Sequence, residues 1–419
     1  MSKLILSERA ARIGIAPNAA AKARAQALAE SGRTVIELTS GEPDFDTPES
    51  IKDAAIAALA AGQTKYTAQA GTADLRNAIS EKLARENGLS YPAAQIIAGN
   101  GGKHVIYNAF AATLRSGDEV IVPAPFWQSF PAMVSINDGT PVLLAGLRED
   151  GYKLTPARLD AAITPRTRWL ILNTPSNPSG AVYDADELLA LAAVLSRHPH
   201  VWVLLDEIYE HIRFDDGSRE HLLTLAPDLA DRTLIVNGGS KPFAMTGWRI
   251  GYGAGPVELI QAMTIVQSQS SSAPSSIAQA ALAAALRGDQ RFVRDSVAAY
   301  RERRDLLLAA LSRIDGLSCV APQGAFFAFV DCSALIGAIT ANGRTIRSDV
   351  DLVDFLLYEH GLAVVDGTSF GVPDHFRVSF VAGREAIVEG VTRLAAAVAA
   401  LTRHDAGFSS SQPTLTEAV

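Results

Sequence analysis

Short, almost continuously apolar runs separated by amphipathic stretches occupy the chain from residue 96 to residue 268. Seven of these runs are candidate strands, and they cover residues 96–98, 119–122, 141–144, 169–172, 201–205, 233–236 and 250–254. Helical patterns, for example 102–114, 184–197 and 257–268, lie between most of them. Apolar runs without alternation are typical of strands buried on both faces. The pattern therefore predicts an α/β fold whose mostly parallel seven-stranded sheet is sandwiched by helices.

The two ends of the chain have different patterns. Before residue 96 we expect an Ala-rich helix, a short strand and two more helices, at 19–30, 35–38, 49–61 and 73–87. After a long periodic segment, 289–314, we expect an α+β order of elements, namely a strand at 325–330, a helix at 350–360, strands at 362–365 and 376–380, and a helix at 384–402. We predict a large domain at 46–295, a small domain formed by 1–45 and 296–405, and a disordered tail at 406–419.

Composition and charge narrow the classes of function. The 419 residues are 48% apolar and 20% charged, which is ordinary for a globular protein. A net charge of −8 argues against nucleic-acid binding but allows a local anion site. The two cysteines, Cys319 and Cys332, have neither metal-site spacing nor a disulfide framework, so we expect a reducing compartment and no metal. With no signal-peptide run and no membrane-length apolar segment, the expected location is the cytoplasm, without a membrane partner.

Polar residues occur where several of the predicted strands end, which is where parallel sheets bind ligands. Gly101, Gly102 and Lys103 open a helix, and their backbone amides could hold a phosphate, although a Gly-Gly pair is usually only a tight turn. Asp206 ends an apolar run, so its carboxylate needs a partner. That partner could be a protonated pyridine nitrogen or a local ion pair.

Three other residues near strand ends have a functional and an ordinary interpretation. Asn177 lies in a loop with two prolines and a glycine, which could aim its side chain or simply use it to form a turn. Tyr209 could point to the same place as Asp206 or pack in the core. Trp127 is a candidate for stacking on a ring, and otherwise a core residue.

The segment 240–249, S-K-P-F-A-M-T-G-W-R, places a lysine where a buried strand ends. Partly desolvated there, Lys241 would have a depressed pKa and could form an imine with an aldehyde cofactor. Arg249 follows eight residues later, and Pro242 and Gly247 allow the turn that would bring both cations to one ligand. A surface loop with two ordinary cations is the alternative. Combined with an acid, a phosphate site and an aromatic ring, the segment indicates a pyridoxal phosphate site.

With these residues, the chain resembles the class I aminotransferases of the fold-type I pyridoxal-phosphate enzymes, and most closely the bacterial aspartate aminotransferases. The shared motifs, in family order, are G-E-P-D-F-D-T-P, T-K-Y-T-A-Q-A-G, N-T-P-S-N-P-S-G, D-E-I-Y-E, S-K-P-F-A-M-T-G-W-R-I-G-Y and F-R-V-S-F. The similarity runs from about residue 12 to about residue 398. It implies pyridoxal 5'-phosphate as cofactor and a homodimer as the active form.

The resemblance implies a role for each cofactor residue. Lys241 binds the cofactor aldehyde and moves the substrate Cα proton, while Asp206 pairs with the ring nitrogen. Tyr209 and Asn177 bond to the 3' oxygen, and Trp127 covers the ring face. The implied phosphate ligands are the side chains of Arg249 and Ser240, the backbone amides of Gly102 and Lys103, which follow Gly101, and Tyr66 of the neighbouring subunit. Many members have a serine where this chain has Gly238, and Ser240 could compensate for it.

The resemblance also implies how the substrate is held. Arg377, in F-R-V-S-F, corresponds to the arginine that grips the α-carboxylate, with help from the Gly41 backbone and Asn177. The residues 267–276 contain no arginine for a distal carboxylate. Lys103 takes that role in the branch that this chain resembles more, where a buried, unpaired ammonium would favour a second carboxylate. Its competing role is phosphate neutralisation.

The expected reaction is ping-pong transfer of an amino group between aspartate, or another dicarboxylic amino acid, and 2-oxoglutarate. Relatives that aminate prephenate have K-P-S, any residue, T, where this chain has A-P-N-A-A at 16–20, which weakens that alternative. Aromatic, alanine or kynurenine specificity stays open, as does a carbon-sulfur lyase on the same fold. A cofactor-sensing regulator is disfavoured, because we expect no DNA-binding module in the few residues before Arg12.

Overall fold

The computed structural model describes residues 6–214 and 220–402. Its helices are α1 (Glu8–Ala11), α2 (Pro17–Glu30), α3 (Glu49–Ala60), α4 (Ala73–Asn87), α5 (Gly102–Thr113), α6 (Ser129–Ile136), α7 (Pro156–Ala162), α8 (Ala185–Arg197), α9 (Leu222–Leu225), α10 (Val257–Ser270), α11 (Ser276–Arg287), α12 (Arg291–Leu311), α13 (Asp349–His360) and α14 (Arg384–Ala399). Its strands are β1 (Ile36–Glu37), β2 (Ile96–Gly99), β3 (Glu119–Ala124), β4 (Thr140–Ala145), β5 (Thr167–Asn173), β6 (Trp202–Asp206), β7 (Thr233–Gly238), β8 (Gly251–Ala254), β9 (Ser318–Cys319), β10 (Phe327–Asp331), β11 (Leu362–Ala363), β12 (Val365–Asp366) and β13 (His375–Ser379). The tail predicted at 406–419 lies outside the described residues.

The seven predicted strands of the main sheet all form, in the order β2-β8-β7-β6-β5-β3-β4. Only β8 is antiparallel to its neighbours, so the prediction of a mostly parallel sheet is confirmed. Asn173, the last residue of β5, pairs in register with Asp206, the last residue of β6. The polar ends of these two strands therefore lie side by side at one edge of the sheet.

Both faces of the central strands of this sheet are buried. Alternate side chains of one strand enter different apolar clusters, because successive residues of a strand point to opposite faces. In β6, Val203 and Leu205 belong to one cluster and Leu204 to another, and all three are at most 1% exposed. Helices cover both faces, which explains why the strands have almost no polar positions.

The remaining strands form two smaller sheets. A four-stranded antiparallel sheet has the order β12-β13-β10-β9, and β1 pairs in parallel with β11. Helix α12 connects the cores of the two regions, since Val293 packs in a cluster of the main sheet and Tyr300 in the cluster around β10 and β13. We keep the division at residues 295 and 296 as a proposal, and note that it falls inside α12.

The predicted strand 362–365 was wrong as a single element. Leu362 pairs with Ile36 of β1, whereas Val365 pairs with Arg377 of β13 in another sheet. The run is buried throughout, at 1–2% exposure, because it crosses from one sheet to the other inside the core. Continuous burial is therefore not evidence of one strand here.

The last helix is shorter than its predicted range, 384–402. It ends at Ala399, and the backbone N–H of Thr402 donates to the carbonyl oxygen of Ile339 at 2.8 Å. Pairing with a distant segment thus replaces the final helical turn. None of the helices in the described residues is both long and apolar enough to cross a membrane.

Candidate active site

A cavity of about 210 Å³ lies at the carboxyl ends of β5 and β6, between the main sheet and β13. The predicted site residues that line it are Gly41, Gly102, Lys103, Trp127, Asn177, Asp206, Tyr209, Ser240, Lys241, Arg249 and Arg377. Gly101 lies beside it, against Arg249. Tyr66 does not reach it and is 98% exposed.

Lys241 follows β7, and its side chain enters the cavity. Nζ donates a hydrogen bond of 2.5 Å to the carbonyl oxygen of Gly41 and lies 5.9 Å from the centre of the Tyr209 ring. Desolvation lowers the pKa of Lys241 to about 8; the negative charges of Glu42 and Asp206 oppose this shift, and the positive charges of Arg249 and Arg377 add to it. A substantial fraction of this amine is therefore neutral near physiological pH, as a nucleophile or a base requires.

Asp206 is 5% exposed and has no ion-pair partner within the part of the chain that the structure describes. Its carboxylate accepts a hydrogen bond of 3.2 Å from the backbone N–H of Ile208. Burial raises the pKa of Asp206 to about 7, while that hydrogen bond acts against the shift. The carboxylate can thus accept a cationic donor from a ligand, and the local ion pair considered as the alternative does not form.

The loop after β5 is held by the side chain of Asn173, which the sequence analysis missed. Its Oδ1 accepts the backbone N–H of Asn177 at 2.9 Å, and its Nδ2 donates to the carbonyl oxygen of Asp206 at 3.0 Å. The Oδ1 of Asn177 in turn accepts from Nη1 of Arg377 at 3.0 Å. Two asparagines in one short loop at a strand end were the available signal.

Arg377 comes from β13, and its side chain is fully buried. Its guanidinium lies 4.2 Å from the ring centre of Phe327 and 5.0 Å from that of Phe370. Burial lowers the pKa of Arg377 to about 10, with Tyr209 opposing the shift. Within the described residues it forms no ion pair, and its Nε has no hydrogen-bond partner. A buried cation without an anion is a binding site for one.

Asn18 was not among the predicted site residues, yet it lines the same cavity. Its Oδ1 accepts a hydrogen bond of 3.3 Å from Nη2 of Arg377, and its backbone N–H donates to Oε1 of Gln128 at 3.0 Å. The sequence signal was the Pro-Asn pair at 17 and 18, which was considered only as a departure from the prephenate motif.

The start of α5 forms the anion end of the cavity. The amides of Gly102 and Lys103 have no acceptor among the described residues, as is usual at a helix N-terminus. Gly101 has a φ of 86°, and a Cβ there would lie 2.6 Å from Nη2 of Arg249. Only glycine lets this guanidinium approach so closely. The guanidinium also donates to the carbonyl oxygens of Thr246 and Asn100, at 2.8 and 3.3 Å.

Lys103 and Trp127 meet at the mouth of the cavity. Nζ of Lys103 lies 4.8 Å from the centre of the Trp127 ring, which packs edge-on against Phe130. Desolvation and the charge of Arg249 lower the pKa of Lys103. The Lys103 side chain is nevertheless exposed in the single chain, so the buried ammonium assumed in the sequence argument is not found there.

The glycine at position 238 has a steric reason. Gly238 pairs with Gly251 of β8, and a Cβ at 238 would lie 2.8 Å from the Gly251 Cα. A Cβ at Gly251 would in turn lie 2.5 Å from the backbone nitrogen of Gly102. Three glycines therefore bring β7, β8 and α5 together. Ser240, 8% exposed, lines the cavity nearby.

These groups fit pyridoxal phosphate. The amine of Lys241, with its lowered pKa, is available for an aldehyde, and the buried Asp206 carboxylate, which has no ion-pair partner among the described residues, is available for a ring nitrogen. The amides at the start of α5, beside a guanidinium, suit a phosphate. Arg377 offers a second, separate anion site. Among the described residues that line the cavity, Asp206 is the only Asp, Glu, His or Cys, so the donor set suits an organic anion better than a metal ion.

Comparisons with known proteins agree with this interpretation. The family model for aminotransferase class I and II matches residues 33–397. The aspartate/prephenate aminotransferase of Cereibacter sphaeroides is 50% identical over 397 residues, which are 95% of this chain and 99% of the relative. The aspartate aminotransferase of Rhizobium meliloti has a solved structure that is 47% identical, with a TM-score of 0.93 and coverage of 96% and 100% of the two chains.

A more distant structure has the same fold. The aspartate aminotransferase of Thermus thermophilus with maleate is 42% identical, with a TM-score of 0.87, and covers 94% of this chain and 100% of its own. The chain therefore belongs to the class I and II aminotransferases and is a pyridoxal-phosphate-dependent enzyme of fold type I.

Proposed function

We propose that this aminotransferase moves the amino group of aspartate, or of another dicarboxylic amino acid, to 2-oxoglutarate in a ping-pong cycle. The observation that carries the proposal is Arg377, a fully buried guanidinium with no acidic partner in the described residues. Every amino acid and 2-oxoacid has a carboxylate beside its reacting carbon, and a bidentate pair with arginine fixes its orientation. The relatives named above are described as acting on aspartate.

Different residues of the chain are assigned to proton transfer and to holding the cofactor ring. When bound, the cofactor supplies an electron sink for the substrate Cα. We assign Lys241 as the base that takes and returns the Cα proton, because its lowered pKa, about 8, keeps much of the amine neutral. We assign Asp206 to the ring nitrogen, and Tyr209 and Asn177 to the ring oxygen. Trp127 is assigned to the ring face.

The phosphate end has a proposed ligand set of its own. It consists of Arg249, Ser240 and the amides that follow Gly101 at the start of α5. The free amides and the positive end of the helix both favour an anion there. Gly41 is assigned to the substrate carboxylate through its backbone N–H, since its carbonyl oxygen accepts from the Lys241 amine and the residue therefore lies beside the reacting group.

We propose that Lys103 binds the second carboxylate of the substrate. It stands beside Trp127 at the mouth of the same cavity, and it forms no ion pair within the described residues. Because the ammonium is exposed in the single chain, its preference for a carboxylate would depend on how far the mouth is covered in the working enzyme.

A homodimer is proposed as the active form, with Tyr66 contributed to the phosphate end of the neighbouring protomer. Tyr66 is 98% exposed and lies outside the cavity of its own chain, so its ring is available to a second protomer. Exposed aromatic residues of this kind are common at interfaces. The two free cysteines, Cys319 and Cys332, suit the reducing cytoplasm, which we keep as the proposed location.

A panel of amino donors with 2-oxoglutarate tests the proposal, with glutamate or the new 2-oxoacid as the measured product. Rapid transfer from aspartate, with little from alanine or phenylalanine, is the expected result. A preference for aromatic or small donors would leave the aminotransferase chemistry intact and overturn the assignment of Lys103. Release of pyruvate without any 2-oxoacid would instead indicate a lyase.

Prephenate is a second candidate acceptor, because one relative at 50% identity is named an aspartate/prephenate aminotransferase. The position of its motif is occupied here by the segment that contains Asn18. Aspartate-dependent loss of prephenate, measured in the same panel, would support this activity. A rate equal to that without enzyme would exclude it.

A further inference from the structure

The segment that follows β6 presents its residues to two different cavities. Asp206 and Tyr209 line the active-site cavity, whereas Glu207 and Glu210 line a second cavity of about 610 Å³. The same short piece of backbone therefore carries two proposed cofactor ligands and two carboxylates that point away from the cofactor. Whatever holds those carboxylates also limits where Asp206 and Tyr209 can lie.

Glu210 is held by a lysine from a different part of the fold. Lys82, on helix α4, is 1% exposed, and its Nζ forms an ion pair with Oε1 of Glu210. Burial alone would lower the pKa of Lys82, but the Glu210 carboxylate beside it raises that pKa, so the ammonium stays charged. A buried ion pair needs further hydrogen bonds to be well ordered.

Asn87, at the end of the same helix, supplies those hydrogen bonds. Its Oδ1 accepts from Nζ of Lys82 at 2.8 Å, and its Nδ2 donates to Oε2 of Glu210 at 3.2 Å. Both oxygens of Glu210 are therefore bound by residues of α4. A ring of three mutually bonded side chains restricts the Glu210 rotamer far more than a single ion pair would.

A second contact fixes the start of the segment. Glu207 accepts a hydrogen bond of 3.1 Å from Nε2 of His221. The Nδ1 of His221 accepts the backbone N–H of Leu223 at 3.0 Å, so the ring proton must be on Nε2, facing Glu207. The two carboxylates that flank Ile208 and Tyr209 are thus each bound from the side away from the cofactor.

A metal ion is the alternative explanation of these charges. Ligand atoms of Glu86, Glu210 and His211 lie within 4.8 Å of one another. However, the ammonium of Lys82 contacts Glu210 and lies 3.6 Å from Glu86. The positive charge that these carboxylates need is therefore already supplied, and a second cation would be repelled.

We propose that Lys82, Asn87 and Glu210 are positioning residues that hold Asp206 and Tyr209 at the cofactor from behind. The inference rests on the proposed roles of Asp206 and Tyr209. The proposal gives a function to helix α4, which does not line the active-site cavity. Because α4 packs against α11 and β2, it is held in place and can fix the position of residues 206–210. Small displacements of reacting groups have large effects on turnover.

The holoenzyme with Lys82→Met, and with Lys82→Met and Glu210→Gln together, tests the proposal. The double variant leaves no unpaired charge in the interior, so it separates positioning from folding. Glu81→Gln is the matched control, because Glu81 is on the same helix and pairs with Arg287 at the surface. The readouts are kcat, KM for aspartate, the cofactor dissociation constant, and the pH midpoint of the bound cofactor's absorbance change.

In the double variant we expect kcat to fall about tenfold and cofactor affinity to weaken about tenfold, with KM changed little. This is the result expected when Asp206 and Tyr209 are displaced from the cofactor. The absorbance midpoint should shift, which a purely structural role would not cause in a folded protein. Wild-type values for all of these, within about twofold, in a folded variant would overturn the proposal. The control should match the wild type.

If neither variant folds, Asn87→Ala tests the proposal with the same measurements and the same expected changes. It removes two hydrogen bonds and leaves the charges of Lys82 and Glu210 in place. Amino transfer by the wild-type enzyme is a separate test of the proposed function. If the wild type transferred no amino group, cofactor affinity and the absorbance midpoint of these variants would still test the positioning role.

Discussion

Nη2 of Arg377 donates a hydrogen bond of 3.3 Å to Oδ1 of Asn18, a residue 359 positions earlier in the chain. The same nitrogen donates to the carbonyl oxygen of Thr39 at 2.6 Å, so both of its hydrogens are in use. The two acceptors therefore hold the guanidinium of Arg377 in a fixed orientation before a substrate carboxylate binds.

We expect Asn18→Ala to raise KM about fivefold for the amino acid and the 2-oxoacid alike, since each has an α-carboxylate and loses an oriented Arg377. The effect on kcat should be smaller. Lys22→Ala, an exposed change on the same helix, is the control for steady-state kinetics. A change in KM restricted to dicarboxylic substrates would make Asn18 a reader of the distal group instead.

Incorporation of the cofactor should depend on the protonation of Lys241. Only the neutral amine attacks an aldehyde, and desolvation lowers the pKa of Lys241 to about 8. The rate of cofactor uptake by the cofactor-free protein should therefore rise with pH and level off above about pH 8, rather than near the ordinary lysine value. Stopped-flow absorbance would measure it.

Lys241→Ala is the matching variant for this experiment. It should abolish the absorbance band of the attached cofactor and nearly all turnover, whereas Lys52→Ala, at a surface pair with Glu49, should change neither. Full activity of Lys241→Ala would refute the proposed site. A midpoint of uptake near pH 10 would show that the amine is not desolvated in solution.

The buried carboxylate of Asp206 should destabilise the cofactor-free protein. Burial raises its pKa to about 7 from an ordinary 3.8, so between these values the folded state binds more protons than the unfolded state. Stability is then lost as the pH rises from about 4 to 7, by up to roughly 4 kcal/mol. We expect Asp206→Asn to unfold at a higher temperature than the wild type at pH 8.

That advantage should shrink as the pH falls towards 4, because the wild-type carboxyl becomes protonated. The same variant should bind the cofactor more weakly, since it loses the carboxylate assigned to the ring nitrogen. Thermal unfolding from pH 4 to 8 measures the effect, with the exposed change Asp53→Asn as control. A lower unfolding temperature at pH 8 would contradict the assignment of an unpaired buried charge.

Lys103→Ala should separate the two roles considered for this lysine. If it binds the distal carboxylate, KM for aspartate and glutamate should rise at least tenfold while KM for alanine changes little. Alanine is the internal control, because it lacks the second carboxylate. Equal losses for all donors, together with weaker cofactor binding, would make Lys103 a phosphate ligand.

Gly238→Ser should destabilise the protein instead of adding a phosphate contact. Its Cβ would lie 2.8 Å from the Gly251 Cα and 3.0 Å from the carbonyl oxygen of Ile250, and backbone atoms cannot move aside easily. A loss of about 1–3 kcal/mol is expected, typical of overpacking. Thermal unfolding would measure it against Gly14→Ser, which has no atom within 4 Å of the new Cβ. Unchanged stability with tighter cofactor binding would show that β7 and β8 can separate.

The hydrophobic pattern predicted the main sheet well, because strands covered on both faces have nearly continuous apolar runs that are not interrupted by polar, solvent-facing positions. Local signals also placed helix α4 at its observed bounds. Thr72 caps its start, accepting the N–H of Leu75 at 3.2 Å, and Gly88 ends it in the left-handed conformation with a φ of 69°. Both devices act within a few residues, so the sequence contains them completely.

Elements that depend on distant partners were harder to predict from the sequence. The run 362–365 divides between two sheets, because its two ends pair with different partner strands. Helix α11, whose buried positions are mostly alanine, was also missed. Short strands of two residues, such as β11, depend on the partner strand for their existence. No property of the segment alone distinguishes these cases.

By itself, the sequence determined the order of the strands' apolar runs, the two ends of helix α4 and the chemistry carried by the motifs, since each depends on residues close together in the chain. Tertiary structure decided which distant side chains meet. It brought Asn18 to Arg377, left Arg377 without an acidic partner among the described residues, and paired Lys82 with Glu210 across 128 positions. The physical reason is that burial and packing between separate elements, which set these contacts and the pKa values of the site, are properties of the folded chain as a whole.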